Sequence, residues 1–217
     1  MIVVIQCAAR KRHGAGHLRA RDGRPVRLVA HPAAAPADVA AVYARPGDAS
    51  DSGMSWRDVL LKYNREKHDN PLGLNPAYQL YDNRAYGRLV ERLGVKSVYV
   101  LSAGWGLVGA GFLTPCYDIT FSQKADAYKR RRKGDSYQDF RMLPEETRGE
   151  ILFFGGKDYL PLFCALTSRI QAPKTVFFNS AQTPQALGCV LRRFETRTKT
   201  NWHYECVNAF IDGSLVL

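Results

Sequence analysis

No apolar run in the 217 residues approaches the ~20 that a membrane-spanning helix needs. The opening run MIVVIQC meets Arg10, Lys11 and Arg12 too soon for a secretory leader, and reads instead as a first β-strand. A cytoplasmic protein without membrane attachment is the expectation. Cysteine is scarce. Cys7, Cys116, Cys164, Cys189 and Cys206 are odd in number and lack the close pairing of a zinc site, so free thiols in a reducing compartment are expected. The histidines (His13, His17, His31, His68 and His203) are scattered, without an HExxH pattern. Also missing are a P-loop, an internal repeat and a low-complexity tail. These absences argue against a metalloenzyme or a P-loop nucleotide enzyme. No metal or cofactor is expected, and no obligate protein partner is evident. The last shortage is of acid: 20 Asp and Glu stand against 31 Lys and Arg, a formal charge of +11. A surface of that sign favours polyanions, nucleic acid first among them.

The chain length suits one α/β domain over 1–217, with a surface excursion at about 13–70. Residues 2–5 form a continuous apolar run, the pattern of a strand covered on both faces. The Ala-, Pro- and Gly-rich segment from 31 reads as surface, with a short helix at 38–43. Ser55 is placed to cap a helix over 56–65, and a turn follows at Asn70-Pro71. A helix starting near Pro76 is stopped by Gly94. VKSVYVLSA is a second strand running into the glycine-bearing turn GWGLVGAG. A helix is expected over 144–153, where Pro144, Glu145 and Glu146 suit a helix start. KDYLPLFCALTSRI reads as a further helix, PKTVFFNSA as a third strand, and TPQALGCVLRRFETR as a closing helix. Strands alternating with helices imply a largely parallel central sheet flanked by helices.

In such sheets the site lies beyond the carboxyl ends of the strands. Three distinctive loops follow strands here: Gln6-Cys7 with the 10–12 cations, Ser102 through Gly106, and Asn179 through Gln182. Asp118, between Tyr117 and Ile119, is either a partly desolvated carboxylate or a loop cap. Asn179 either reads a base edge or closes an Asx turn, and Trp105 either stacks on a base or packs in the core. Lys129, Arg130, Arg131, Arg132 and Lys133 crowd five charges together, which phosphates would neutralise; the alternative is a solvated loop. Arg192, Arg193, Arg197 and Lys199 offer a second set of phosphate contacts.

MIVVIQCAARK, PAYQLYDNRAYGRL, VLSAGWGLVGAGFLTPCYD and VFFNSA together resemble, in order, the signature blocks of the YaaA-like bacterial proteins. Trp105 stands where that family usually has Tyr, and Cys116 interrupts its Pro-Tyr-Asp triplet. The resemblance implies a fold similar to the uracil-DNA glycosylase superfamily, in which a strand-end Asn reads a flipped base, and implies DNA binding. The chain also resembles a phage-defence DNA glycosylase of this broad type, acting on glucosylated hydroxymethylcytosine.

The expected function is therefore hydrolysis of the N-glycosidic bond of a modified base in phage DNA. The alternatives are a non-catalytic DNA-binding stress protein and a nucleotide-modifying enzyme. In the expected mechanism Asp118 orients water and stabilises the sugar cation, with Tyr117 beside it. Gln6, Asn179 and Ser102 bind the base, and Trp105 or Tyr117 stacks on it. Lys11, Arg12 and the 129–133 cations hold the phosphates.

Overall fold

The first strand, β1 (Ile2–Gln6), is buried because its apolar run is covered from both sides; Val3, Val4 and Ile5 are fully enclosed. It stands near the middle of a seven-stranded sheet. The structure is a computed structural model that describes residues 1–66, 69–132, 134–196 and 200–216. After β1 come β2 (Val26–Val29), β3 (Val42–Ala44), α1 (Trp56–Arg65), β4 (Asn75–Pro76), α2 (Ala77–Leu80) and α3 (Arg84–Leu93). Next are β5 (Val98–Ser102), β6 (Gly106–Gly109), β7 (Leu113–Thr114), β8 (Tyr117–Asp118) and β9 (Phe140–Arg141). The chain closes with β10 (Ile151–Phe154), α4 (Leu160–Leu166), β11 (Lys174–Phe178), β12 (Val190–Arg193) and α5 (Trp202–Ile211).

The main sheet has the order β12-β11-β10-β1-β5-β6-β9. The five strands from β12 to β5 are mutually parallel, and β6 turns back antiparallel to β5. Successive side chains on a strand point to opposite faces, so β10 shows how the sheet is covered. Phe153 stacks on Phe163 of α4 at 4.4 Å, while Phe154 meets Phe210 of α5 at 5.6 Å. Helices thus lie on both faces, and α3 joins α5 through Arg88, which donates to Asn208 and pairs with Asp212. The expected mixed α/β architecture with a mostly parallel sheet is present. Among the described residues, no helix is long and apolar enough to cross a membrane.

Several segments differ from the sequence expectations. Residues 144–153 do not form a helix, because ILFF is β10, buried at every position between β1 and β11. A four-residue apolar run does not distinguish strand from helix by periodicity, and here the sheet decides. The expected helix in TPQALGCVLRRFETR is a loop leading to the edge strand β12. In place of a helix at 38–43 there is a short strand, β3. The helix from Pro76 is broken at 81–83, where Asn83 accepts the Ala85 N–H and caps a new helix, α3; Gly94 ends it as expected. Ser55 caps α1 by accepting the Asp58 N–H. The 13–70 segment is more than surface. Leu18, Leu28 and Leu60 are fully buried in the same core as β1, and β2 pairs with β3 and β8.

Candidate functional site

Parallel register brings the carboxyl ends of β1, β5 and β10 together, since Gln6 lies opposite Leu101 and Ile5 opposite Phe154. The Gln6 side chain is held at both ends. Its Oε1 accepts the Gly156 N–H at 2.6 Å, which fixes its Nε2 as the donor toward His203 Nε2 at 3.2 Å. Burial pushes the His203 pKa down to about 4, so a neutral ring accepts that bond. The Gln6 carbonyl receives the Tyr86 hydroxyl at 2.7 Å.

On β5, Ser102 Oγ accepts the N–H groups of Gly104 and Trp105 and donates to the Tyr117 hydroxyl at 2.8 Å. The Tyr117 hydroxyl also meets that of Tyr81 at 2.9 Å. This tight turn needs its glycines. A Cβ on Gly104 would lie 2.9 Å from the Tyr117 ring, and Gly106 has φ +81° with Asp139 and Phe140 against it. Cys7 Sγ contacts the Tyr159 hydroxyl at 3.1 Å. Burial raises the pKa of Tyr81, Tyr86, Tyr117 and Tyr159 well above the usual phenol range, so these are neutral, hydrogen-bonding groups.

Lys11 caps this cluster. Its Nζ sits 4.1 Å from the centre of the Tyr117 ring and donates to the Ala9 carbonyl. Desolvation lowers its pKa, against the attraction of Cys7, Asp118 and Cys116. Strand alternation turns Tyr117 inward and Asp118 outward. The Asp118 side chain is 59% exposed, with Lys129 Nζ 3.8 Å away, so the expected desolvated carboxylate is a solvated one at the rim.

Two clefts border on residues of the cluster. Exposed Arg10, Arg12 and Arg84 line one of about 680 Å³, beside Lys11. Arg130, Arg132 and Phe121 line the other, of about 560 Å³. The second cleft reaches the cluster through packed side chains. Phe121 sets its edge on Tyr159 at 5.0 Å, and Tyr159 reaches Cys7.

The expected site residues separate into three groups. Tyr117, Ser102, Gln6 and Lys11 converge, with Asp118 and Lys129 at their rim. Asn179 does not join them. It follows β11, which β10 separates from β1, a distance of two strand spacings or roughly 10 Å. Its Nδ2 donates to the Phe194 carbonyl at 3.0 Å, a brace between strand ends. Trp105 is 1% exposed and lies flat against Phe140 on the far side of the 103–105 turn, so it packs in the core. Gln6 and Ser102 spend their polar atoms on internal bonds, which makes them framework.

Arg131 leaves the expected phosphate-binding set. It is 7% exposed, forms a bidentate pair with Asp139 at 2.7 and 2.9 Å, and donates to the Ala103 carbonyl. Its guanidinium also covers the Tyr137 ring at 3.9 Å. Lys133, His68, Arg197 and Lys199 lie outside the described residues. Sequence reasoning missed Tyr81, Tyr86, Tyr159 and His203; the paired tyrosines of PAYQLYDNRAYG are the signal for the first two. Among the described residues no cluster of three or more His, Cys, Asp or Glu is arranged to hold a metal. No protein-family model, curated protein or solved structure matches this chain.

Proposed function

We propose that this protein hydrolyses the N-glycosidic bond of a modified base in DNA, on a uracil-DNA-glycosylase-like sheet. One observation carries the reading: the Asp118 carboxylate lies near enough to the partly desolvated Lys11 amine to act on its charge, and Lys11 lines a cleft that also carries Arg10, Arg12 and Arg84. The glycosidic bond is shielded in a duplex, so the nucleotide must leave the stack. Arg12, Arg84 and Arg132 would hold the phosphates on either side of the extruded nucleotide. Asp118 would orient water toward C1′ and offset the positive charge that develops on the sugar, by analogy with glycoside hydrolysis. DNA covering the rim would remove the solvent that now screens this carboxylate. Lys11 would donate to the departing base, which takes up negative charge as the bond breaks. Water supplies the hydroxyl left on C1′ and the proton gained by the base.

The exposure of Asp118 and its pairing with Lys129 favour a second reading, a DNA-binding protein without catalysis. Both readings require DNA binding, but only the first releases a base. The test is incubation with ordinary DNA and with DNA carrying glucosylated hydroxymethylcytosine. Free base is measured by chromatography and abasic sites by alkaline strand scission. The enzyme reading expects both products from the modified DNA. Binding without either product would leave the second reading standing.

A further inference from the structure

The helix α4 is apolar on the side that the core does not use. Leu160, Phe163 and Leu166 are buried, as a helix packed on a sheet requires. Pro161, Leu162 and Ala165, which share another side at helical spacing, line the open cleft of about 560 Å³ together with Phe121. An outer helix normally turns polar residues to water, so the packing of the fold does not account for this apolar floor. Pro161 and Ala165 are exposed, and Leu162 and Phe121 are half-buried.

Cations line the same cleft. Among the described residues neither the Arg130 nor the Arg132 guanidinium pairs with a carboxylate; Arg130 Nη1 donates to the neutral Gln123 side chain at 3.2 Å. Arg131, between them in sequence, is neutralised by Asp139. One carboxylate, Asp158, is exposed at the cleft. The walls are also fixed before any ligand arrives. Phe121 meets the Tyr159 ring at 5.0 Å and the Arg131 guanidinium at 5.5 Å. The 130–131 backbone is held by His31 Nε2 on the Arg130 carbonyl and by the Arg131 N–H donating to Thr120.

We propose that this cleft binds one unstacked nucleotide, its phosphate on Arg130 and Arg132, its base on the Phe121 and Leu162 floor, and an amino group of the base donating to Asp158. The planar guanidinium fork matches phosphate oxygens, and a ring offers any base a stacking face. A fatty-acyl anion would leave Asp158 without a donor, and inorganic phosphate would leave the floor bare. The volume falls within the roughly 300–1,000 Å³ of small-ligand sites. A carboxylate only accepts, so Asp158 favours cytosine, with its amino group, over thymine, which presents a carbonyl oxygen there. The inference deepens the reading above and rests on it for DNA as the source of the nucleotide.

The test follows leucine methyl resonances in ¹³C-labelled protein, with Leu162→Ile identifying the Leu162 signals. Deoxycytidine 5′-monophosphate should move them saturably. Thymidine 5′-monophosphate should bind about tenfold more weakly, the loss of one hydrogen bond to a charged group. Deoxycytidine without its phosphate should also bind more weakly. Asp158→Asn adds a donor to the acceptor and should remove most of the preference for cytosine, while Arg132→Gln should bring the nucleotide's affinity toward that of the nucleoside. Both side chains are exposed, so both variants should melt as the parent does. The trinucleotide dT-dC-dT forms a further arm: tighter binding than the mononucleotide identifies a strand as the source, and weaker binding identifies the free nucleotide. Base release is not read, so failure here and failure of base excision are separate results. Leu162 signals unmoved by deoxycytidine monophosphate would overturn the proposal, as would equal binding of the cytosine and thymine nucleotides. Decanoate that saturates the shift where the nucleotide does not would assign the floor to an acyl chain and overturn it as well.

Discussion

Adjacent arginines at 130–132 carry equal charge, yet their surroundings give that charge different uses. Arg131 is inside, with Asp139 as counter-ion and Tyr137 beneath it. Removing one partner of a buried pair leaves the other charge uncompensated, which costs about 3–5 kcal/mol. Arg131→Met should lower stability by that order, read from urea unfolding. Arg132 is exposed, so Arg132→Ala should leave the unfolding curve in place. If Arg132 contacts a phosphate, that variant should make the logarithmic salt dependence of DNA affinity shallower by about 0.9. An unfolding midpoint untouched by Arg131→Met would contradict the buried pair. Sequence exposes the charge of each residue in this run but hides its partner. Asp139 selects Arg131 only when the chain doubles back to place β9 beside β6.

At the scale of elements, α5 couples the rear of the site to solution pH. It buries Trp202, His203, Cys206 and Val207 and packs on α3, β10 and β11. In the fold His203 takes a proton only near pH 4, whereas in the unfolded chain it does so near pH 6.5. Between those values the unfolded state binds more protons, so stability falls as pH falls. By pH 4 the loss is about 3 kcal/mol, at 1.36 kcal/mol per pH unit. His203→Gln retains an acceptor for Gln6 and does not titrate, so it should flatten this part of the stability profile. Denaturant titrations at several pH values, read by tryptophan fluorescence, check it; equal pH dependence in both proteins would contradict the assignment. The sequence announces β1, β5 and β11 through unbroken apolar runs, and α1 through its Ser55 cap. It hides β10, where helix-start residues at 144–146 precede an equally apolar run. Neither could α5 be read in advance, since WHYECVNAFI has no clean apolar stripe and its burial depends on α3.

For the molecule as a whole, the excess of 11 positive charges becomes functionally specific only through topology. Crossovers that place β1 between β5 and β10 bring the strand-end loop that carries Arg10, Lys11 and Arg12 to the tyrosine-rich cluster, where Lys11 lies over Tyr117. All three strand-end loops were legible as candidates, but which of them meet depended on strand order. Loops after β1 and β5 are neighbours, while the Asn179 loop is held apart by β10. Asp118 likewise stood out in the sequence, and strand alternation set its exposure. The central claim is that this carboxylate performs chemistry rather than holding DNA. Its most direct test compares the parent with Asp118→Asn on DNA containing glucosylated hydroxymethylcytosine, measuring affinity and single-turnover base release together. The account predicts near-parental affinity with base release slowed at least ~100-fold, the scale of a lost acid–base group. An Asp118→Asn protein that releases base at the parental rate would contradict it, as would a parent protein that binds this DNA and releases no base.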